Sequence, residues 1–196
     1  KYTARPYITP QSVTVSCNPG EKAYADFTVS IPEDAEAGGR YALIRFTTVV
    51  EPGSGVGVAS SIVLPMKFTV TGGPLVHSGE INGITTGEAV SGSPIDIFTS
   101  FTNTGNHHFK VAGEVQVSKA DGALIDTLHI NTSSPVPENT RQIRTTFIPD
   151  EDLDTGIYHV KAILKLENGT LLDEADGQFE VKEPYVPPPP PASVIV

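Results

Sequence analysis

The sequence predicts an all-β protein built of two tandem immunoglobulin-like β-sandwiches, residues 1–72 and 73–183, with a proline-rich stalk or linker over 184–196. Three observations carry that prediction. Apolar residues recur at every second position in many short segments, the mark of strands with one buried face. Turn dipeptides punctuate those segments every 8–12 residues, as in immunoglobulin-like sandwiches. A motif in the first half returns in the second at a constant offset of 117 residues.

In the first half, Val13, Val15 and Cys17 alternate before Asn18-Pro19-Gly20 turns the chain. Phe27, Val29 and Ile31 alternate next, then Ala42, Ile44 and Phe46. After the loop Glu51-Pro52-Gly53-Ser54-Gly55, one parity holds Val58, Ile62, Leu64, Met66, Phe68 and Val70. Pro65 removes an amide donor from that last segment, which must therefore be an edge strand, bulged or split. The one helix candidate, Pro32 to Ala37, is a single turn stopped by Gly38-Gly39.

Thr71-Gly72-Gly73-Pro74 reads as a linker. The charge changes there. Residues 1–72 hold six basic and six acidic groups, and the remainder holds seven basic against seventeen acidic. In the second half, Ile95, Ile97 and Phe101 lead to the turn Asn103-Thr104-Gly105-Asn106. Phe109, Val111, Val115 and Val117 return, Asp121-Gly122 turns again, and Leu124, Leu128 and Ile130 follow. The cleanest strand carries Tyr158, Val160, Ala162, Leu164 and Leu166. It closes at Asn168-Gly169, a dipeptide suited to a type I′ hairpin because both central residues need positive φ. Phe179 and Val181 lie on the returning strand.

The repeat equates Ile31-Pro32-Glu33-Asp34 and Gly39-Arg40-Tyr41 with Ile148-Pro149-Asp150-Glu151 and Gly156-Ile157-Tyr158. Gly-x-Tyr entering a late strand is the signature of a tyrosine corner, whose hydroxyl reaches back to a backbone group. Tyr41 and Tyr158 are therefore expected to have buried rings and hydroxyls bonded to nearby backbone. The repeat also equates Phe27 with Arg144 and Val29 with Thr146, whereas the apolar parity of the second half runs through Ile143 and Phe147. A bulge before the corner would reconcile the two.

These stretches resemble the extracellular part of the WxL-interacting cell-surface proteins and, more broadly, bacterial and archaeal surface sandwiches. The similarity rests on Ile8-Thr9-Pro10, Asn18-Pro19-Gly20-Glu21, Ile31-Pro32-Glu33-Asp34 and Gly38-Gly39-Arg40-Tyr41 in the first module. In the second it rests on Asn103 to Asn106 and Gly156 to Tyr158. It implies a membrane-tethered ectodomain that binds cell-wall polymer or another surface protein, and it transfers no functional residue.

Composition narrows the function classes. The net charge of −10 disfavours nucleic acid, whose binders need a basic face, and disfavours a polybasic membrane-surface protein. No run reaches the roughly 18 apolar residues of a membrane span, so membrane association is expected only through an anchor outside this chain. Lys1 reads as a mature N-terminus or a cut end. The run Pro187 to Pro191 reads as a stiff spacer ahead of Ala192-Ser193-Val194-Ile195-Val196.

Candidate chemistry is sparse. Cys17 is the one cysteine, so no intrachain disulfide forms, and its parity with Val13 and Val15 predicts a buried, inert thiol. His107 and His108 are adjacent and would point to opposite faces of a strand, a poor metal pair. Asp150, Asp152 and Asp154 cluster with Glu151 in the corner loop and are the weak calcium candidates. Asn131-Thr132-Ser133 and Asn168-Gly169-Thr170 are glycosylation sequons. No nucleophile elbow, P-loop or dinucleotide fingerprint occurs, and no cofactor is expected. The expected function is a non-catalytic extracellular module at the cell surface: a spacer, adhesin or envelope scaffold. The alternatives are an accessory sandwich of a larger secreted hydrolase and a periplasmic pilus-type chaperone. The second is disfavoured because the linker 71–74 has no basic residue.

Overall fold

The computed structural model describes residues 1–49 and 59–185. Val58, the loop 51–55 and the proline run lie outside the described residues. Within them the chain is all β, with a single 3-10 turn, Arg5–Tyr7, and no α-helix. It forms two compact units, one of Lys1–His77 with Gly105–His108, the other of Ser78–Thr104 with the chain from Phe109 onward.

Among the described residues the larger unit holds seven strands: β5 (Gly79–Thr86), β6 (Ile95–Asn103), β7 (Val111–Lys119), β8 (Leu124–Ser133), β9 (Thr140–Phe147), β10 (Gly156–Leu166) and β11 (Leu171–Val181). They make a three-stranded sheet, β5-β6-β9, and a four-stranded sheet, β11-β10-β7-β8, with every pairing antiparallel. Sheets of this kind bury one face each, so alternate residues meet in a shared core. Ile95, Ile97 and Phe101 supply it from β6, and Val115 and Val117 from β7. Ile143 and Phe147 come from β9, and Val160, Ala162 and Leu164 from β10. The most central of them are fully buried. This is the immunoglobulin-like sandwich the alternation predicts. β5 is the strand the apolar pattern hides: its register against β6 shifts between Ile81 and Gly83. A bulge there breaks the period-two row while Ile81 and Ile84 still pack against the core.

Among the described residues the smaller unit has two two-stranded sheets, β1 (Ile8–Pro10) with β2 (Phe27–Val29), and β3 (Gly38–Thr47) with β4 (Ser61–Val70). Pro65 sits opposite Leu43 in β4, whose other side is unpaired among the described residues, so the missing amide donor is tolerated at an edge. The segment Val13 to Cys17 differs from expectation. It is not a strand, Val13 is 93% exposed, and Cys17 is exposed. Alternation supplies a face, but no described strand pairs with this segment and no layer covers it. The Cys17 thiol donates instead to the carbonyl of Glu21 at 2.9 Å, across the turn that follows. Apolar side chains of β3 and β4 are likewise open: Leu43 is 72% and Ile62 72% exposed. One aromatic contact, Phe27 against Phe46 edge-on at 6.3 Å, links the two sheets.

Candidate functional site

The corners show how each unit anchors its last hairpin. Gly156 opens β10 at φ 145°, a conformation that favours glycine, and Tyr158 follows with its ring buried. Its hydroxyl donates to the carbonyl of Asp154 at 2.9 Å. Burial raises the pKa of this phenol. Its ring also stacks on Phe179 of β11, at 5.6 Å between centroids.

The smaller unit builds the same corner with a different residue. Gly38 has the matching φ of 138°, and the buried side chain two positions later is Arg40, not Tyr41. Arg40 Nη2 donates to the carbonyl of Glu36 at 2.6 Å, again four residues back, and Nη1 donates to the carbonyl of Gly39 at 2.9 Å. Its guanidinium also lies 5.7 Å from the Tyr7 ring centroid. Strand pairing agrees: Gly38 faces Val70 and Arg40 faces Phe68, as Gly156 faces Val181 and Tyr158 faces Phe179. The structural repeat therefore runs at an offset of 118 residues, Gly38 onto Gly156 and Arg40 onto Tyr158, one more than the sequence motif. At that offset Phe27 and Val29 fall on Thr145 and Phe147, the inward side of β9, and the parity conflict disappears.

Tyr41 points to the other face, toward a histidine group. Its hydroxyl shares a hydrogen bond with His108 Nδ1 at 3.0 Å, and the two rings meet edge-on at 5.6 Å. His107 is buried and stands edge-on to His77 at 4.5 Å, with its Nδ1 3.2 Å from Asn106 Oδ1. Asn106 ties this turn to the strand and the linker. Its backbone carbonyl accepts from Gly39, its Oδ1 accepts from the Val76 amide at 2.8 Å, and its Nδ2 donates to the Pro74 carbonyl at 2.9 Å. Burial lowers the pKa of His107, reinforced by His77 and His108, and burial with Lys67 nearby lowers that of His108. Burial also raises the Tyr41 phenol to about 12. The expected opposite-face placement of His107 and His108 assumed a strand, whereas this segment is irregular. Their rings lie 6.5 Å apart.

The acidic corner loop borders an open pocket of about 390 Å³ lined by Asp150, Glu151, Asp152 and Asp154 together with Lys119 and Tyr158. Among the described residues no three His, Cys, Asp or Glu side chains gather as a metal-holding group. Asp150, Asp152 and Asp154 thus line one wall without converging. Asn168 is exposed at the β10–β11 turn, where its Oδ1 accepts from the Thr170 amide at 3.0 Å. Asn131 is exposed on β8 and lines an open groove of about 510 Å³ with Leu128, His129, Arg144, Thr145 and Thr146. That groove was not legible as a feature of the sequence, because β8 and β9 meet only through the sandwich.

No protein-family model and no curated protein matches the chain. Among solved structures, a β-glucuronidase of Bacteroides uniformis is similar over 53% of this chain and 14% of its own, at 16% identity and a TM-score of 0.46. The C-terminal domain of wzt is similar over 57% of this chain and 77% of its own, at 14% identity and a TM-score of 0.45. The CARDB domain of a Pyrococcus furiosus protein, solved in complex with di-metal ions, is similar over 55% of this chain and 89% of its own. Its identity is 16% and its TM-score 0.38. This chain thus spans only about 14% of the length of the β-glucuronidase.

Proposed function

We propose that this chain is a non-catalytic module of an extracellular surface protein that binds cell-wall polymer or a neighbouring surface protein. The observation that supports this reading most is where the polar side chains go. Arg40 and Tyr158 clamp corners, Asn106 and Asn103 satisfy backbone groups, and Ser91 caps the Leu153 carbonyl. The acids singled out from the sequence line an open wall with no metal-holding group among the described residues. What the larger unit offers a partner is strand edge and loop, the surfaces through which sandwiches bind. The resemblance to WxL-interacting cell-surface proteins points to the same class of partner.

The test is retention of the purified chain on isolated cell envelope, before and after enzymatic removal of wall polymer, beside a broad hydrolase screen. Saturable retention without turnover is expected. Hydrolase activity that persists through clean purification, or no retention on any envelope fraction, overturns the proposal.

A further inference from the structure

Among the described residues the larger unit has four edge strands, β5 and β9 in one sheet and β11 and β8 in the other. Natural sheets blunt such edges with bulges, prolines or short length, because unpaired amides and carbonyls template pairing with another chain. Three of the four are interrupted: the register shifts in the β5–β6, β10–β11 and β7–β8 pairings. The β6–β9 pairing runs without a shift from Ile95–Phe147 to Thr102–Thr140. β9 is thus a regular, eight-residue edge with no proline.

Its chemistry also departs from its surroundings. The chain after residue 72 carries seventeen acidic groups, yet β9 carries none, and it holds both arginines of that region, Arg141 and Arg144. Arg141 is exposed and forms no ion pair among the described residues. Arg144 pairs with Asp96 at 2.8 Å, a bond that holds the Asp96 carboxyl below its usual range. Beside this edge lies the groove between β8 and β9. Thr145 lines it, is 9% exposed, and has a buried Oγ1 with no hydrogen-bond partner.

We propose that β9 is a docking edge that takes an extended, acidic polypeptide segment of a partner as an added strand. Backbone pairing along β9 supplies affinity and the alternating side chains supply selectivity. Carboxylates on one face of the added strand meet Arg144 and the outer face of β9. Small apolar or Thr residues on the other face enter the groove beside Thr145. Arg141 has the parity of Ile143 and Thr145 but is exposed at the start of the edge, so it meets a carboxylate at that end of the added strand's groove-side face. This inference rests on the reading of the chain as a binding module and specifies one surface and one partner class for it.

The experiment uses the whole chain from a host that adds no glycan, since Asn131 lines the groove. The probe is a dodecapeptide alternating Glu with Val and Thr, with one further Glu replacing the Val or Thr nearest each end so that a carboxylate also faces Arg141, compared with its Lys-for-Glu counterpart. Saturable binding of the Glu peptide is expected, with slowed hydrogen exchange of amides between Arg141 and Phe147. Arg141→Glu should weaken binding roughly tenfold with an unchanged melting temperature, and Arg141→Lys should retain most of it. Equal binding of the Lys peptide, protection confined to β5 or β11, or a free chain whose β9 amides are already covered by self-association would overturn the proposal. Envelope retention separates it from the broader reading. If wild-type and Arg141→Glu chains are retained equally, β9 is not the docking edge and the module reading stands. If the Glu peptide binds β9 but no envelope retains the chain, the docking edge stands and the module reading falls.

Discussion

The hairpins β3–β4 and β10–β11 have the same register around their corners, yet they end in different environments. Along β10 the inward residues Tyr158, Val160, Ala162 and Leu164 are 5%, 1%, 0% and 0% exposed. At the corresponding positions of β3, Arg40 is 5% exposed, Ala42 and Ile44 are half-buried, and Phe46 is 39% exposed. The strands differ little in pattern. β10 is paired on both sides and faced by a second sheet, whereas β3 is paired along its length with β4 and, among the described residues, pairs with the N-terminal segment only at a bridge from Tyr41 to Thr3, and it meets the β1–β2 sheet through Phe27. Alternation therefore encodes which face a side chain takes, and an opposing layer decides whether that face is buried. Because each buried methylene contributes about 0.8 kcal/mol, the energetic weight of the two hairpins differs sharply.

The largest expected effect separates them directly. Leu164→Ala, which empties a fully buried site, should destabilise the larger unit by about 2–5 kcal/mol. Phe46→Ala, at the corresponding position of β3, should cost only about 1–2 kcal/mol because its ring is only partly removed from water. Unfolding followed through NMR signals of each unit distinguishes the two, and equal losses would break the comparison.

The corners come next. Arg40→Met leaves two backbone carbonyls without a charged donor and should destabilise the smaller unit by about 1–3 kcal/mol, more than Tyr41→Phe does. Tyr158→Phe should lower the stability of the larger unit by about 0.5–1.5 kcal/mol. Chemical denaturation of the three variants checks the order. A loss for Tyr41→Phe exceeding that for Arg40→Met would return the corner to Tyr41.

The histidine group makes the smaller unit the pH-sensitive one. His107 and His108 have pKa values lowered in the folded state, so the unfolded chain binds more protons just below pH 6.5. Stability then rises with pH in that window: the contribution is present above about pH 6.5 and is lost as pH falls through the folded pKa values. The groups facing the pair are His77, Lys67, Tyr41 and Asn106. Melting curves between pH 7.5 and 5 should show the smaller unit weakening first, and His107→Gln with His108→Gln should flatten that dependence. The same unit should hold the last tyrosine to ionise, Tyr41, near pH 12 in a spectrophotometric titration. The smallest effect is calcium. Asp150, Asp152 and Asp154 do not converge, so melting with chelator and with millimolar calcium should agree, and a rise of many degrees would contradict that geometry.

Much of the larger unit was legible because its alternating rows and its core coincide. Tyr158 shares parity with Val160, Ala162 and Leu164, so the motif and the row name the same inward face. In the smaller unit the two signals disagreed in advance. Tyr41 lies off the Ala42-Ile44-Phe46 row, and Arg40 lies on it. The motif drew attention to the tyrosine, although the apolar row runs through the arginine. A charged residue there reads as solvent-facing until its guanidinium finds the carbonyls of Glu36 and Gly39. β5 was hidden by its bulge, and Val13 to Cys17 mimicked a strand because alternation alone does not reveal a missing partner. The β9 edge escaped for a different reason: regular register and an open side are properties of pairing, which a single strand's residues do not display.

The central claim, that one strand pattern is realised as a fully buried core in one unit and as a half-covered face in the other, is tested most directly by native-state hydrogen exchange. The slowest amides of Tyr158 to Leu164 in β10 should open only with global unfolding of their unit. The slowest of Arg40 to Phe46 in β3 should open with a free energy lower by about 2–3 kcal/mol or more. Equal protection of the two strands would contradict the account, because it would show that β3 is buried as completely as β10.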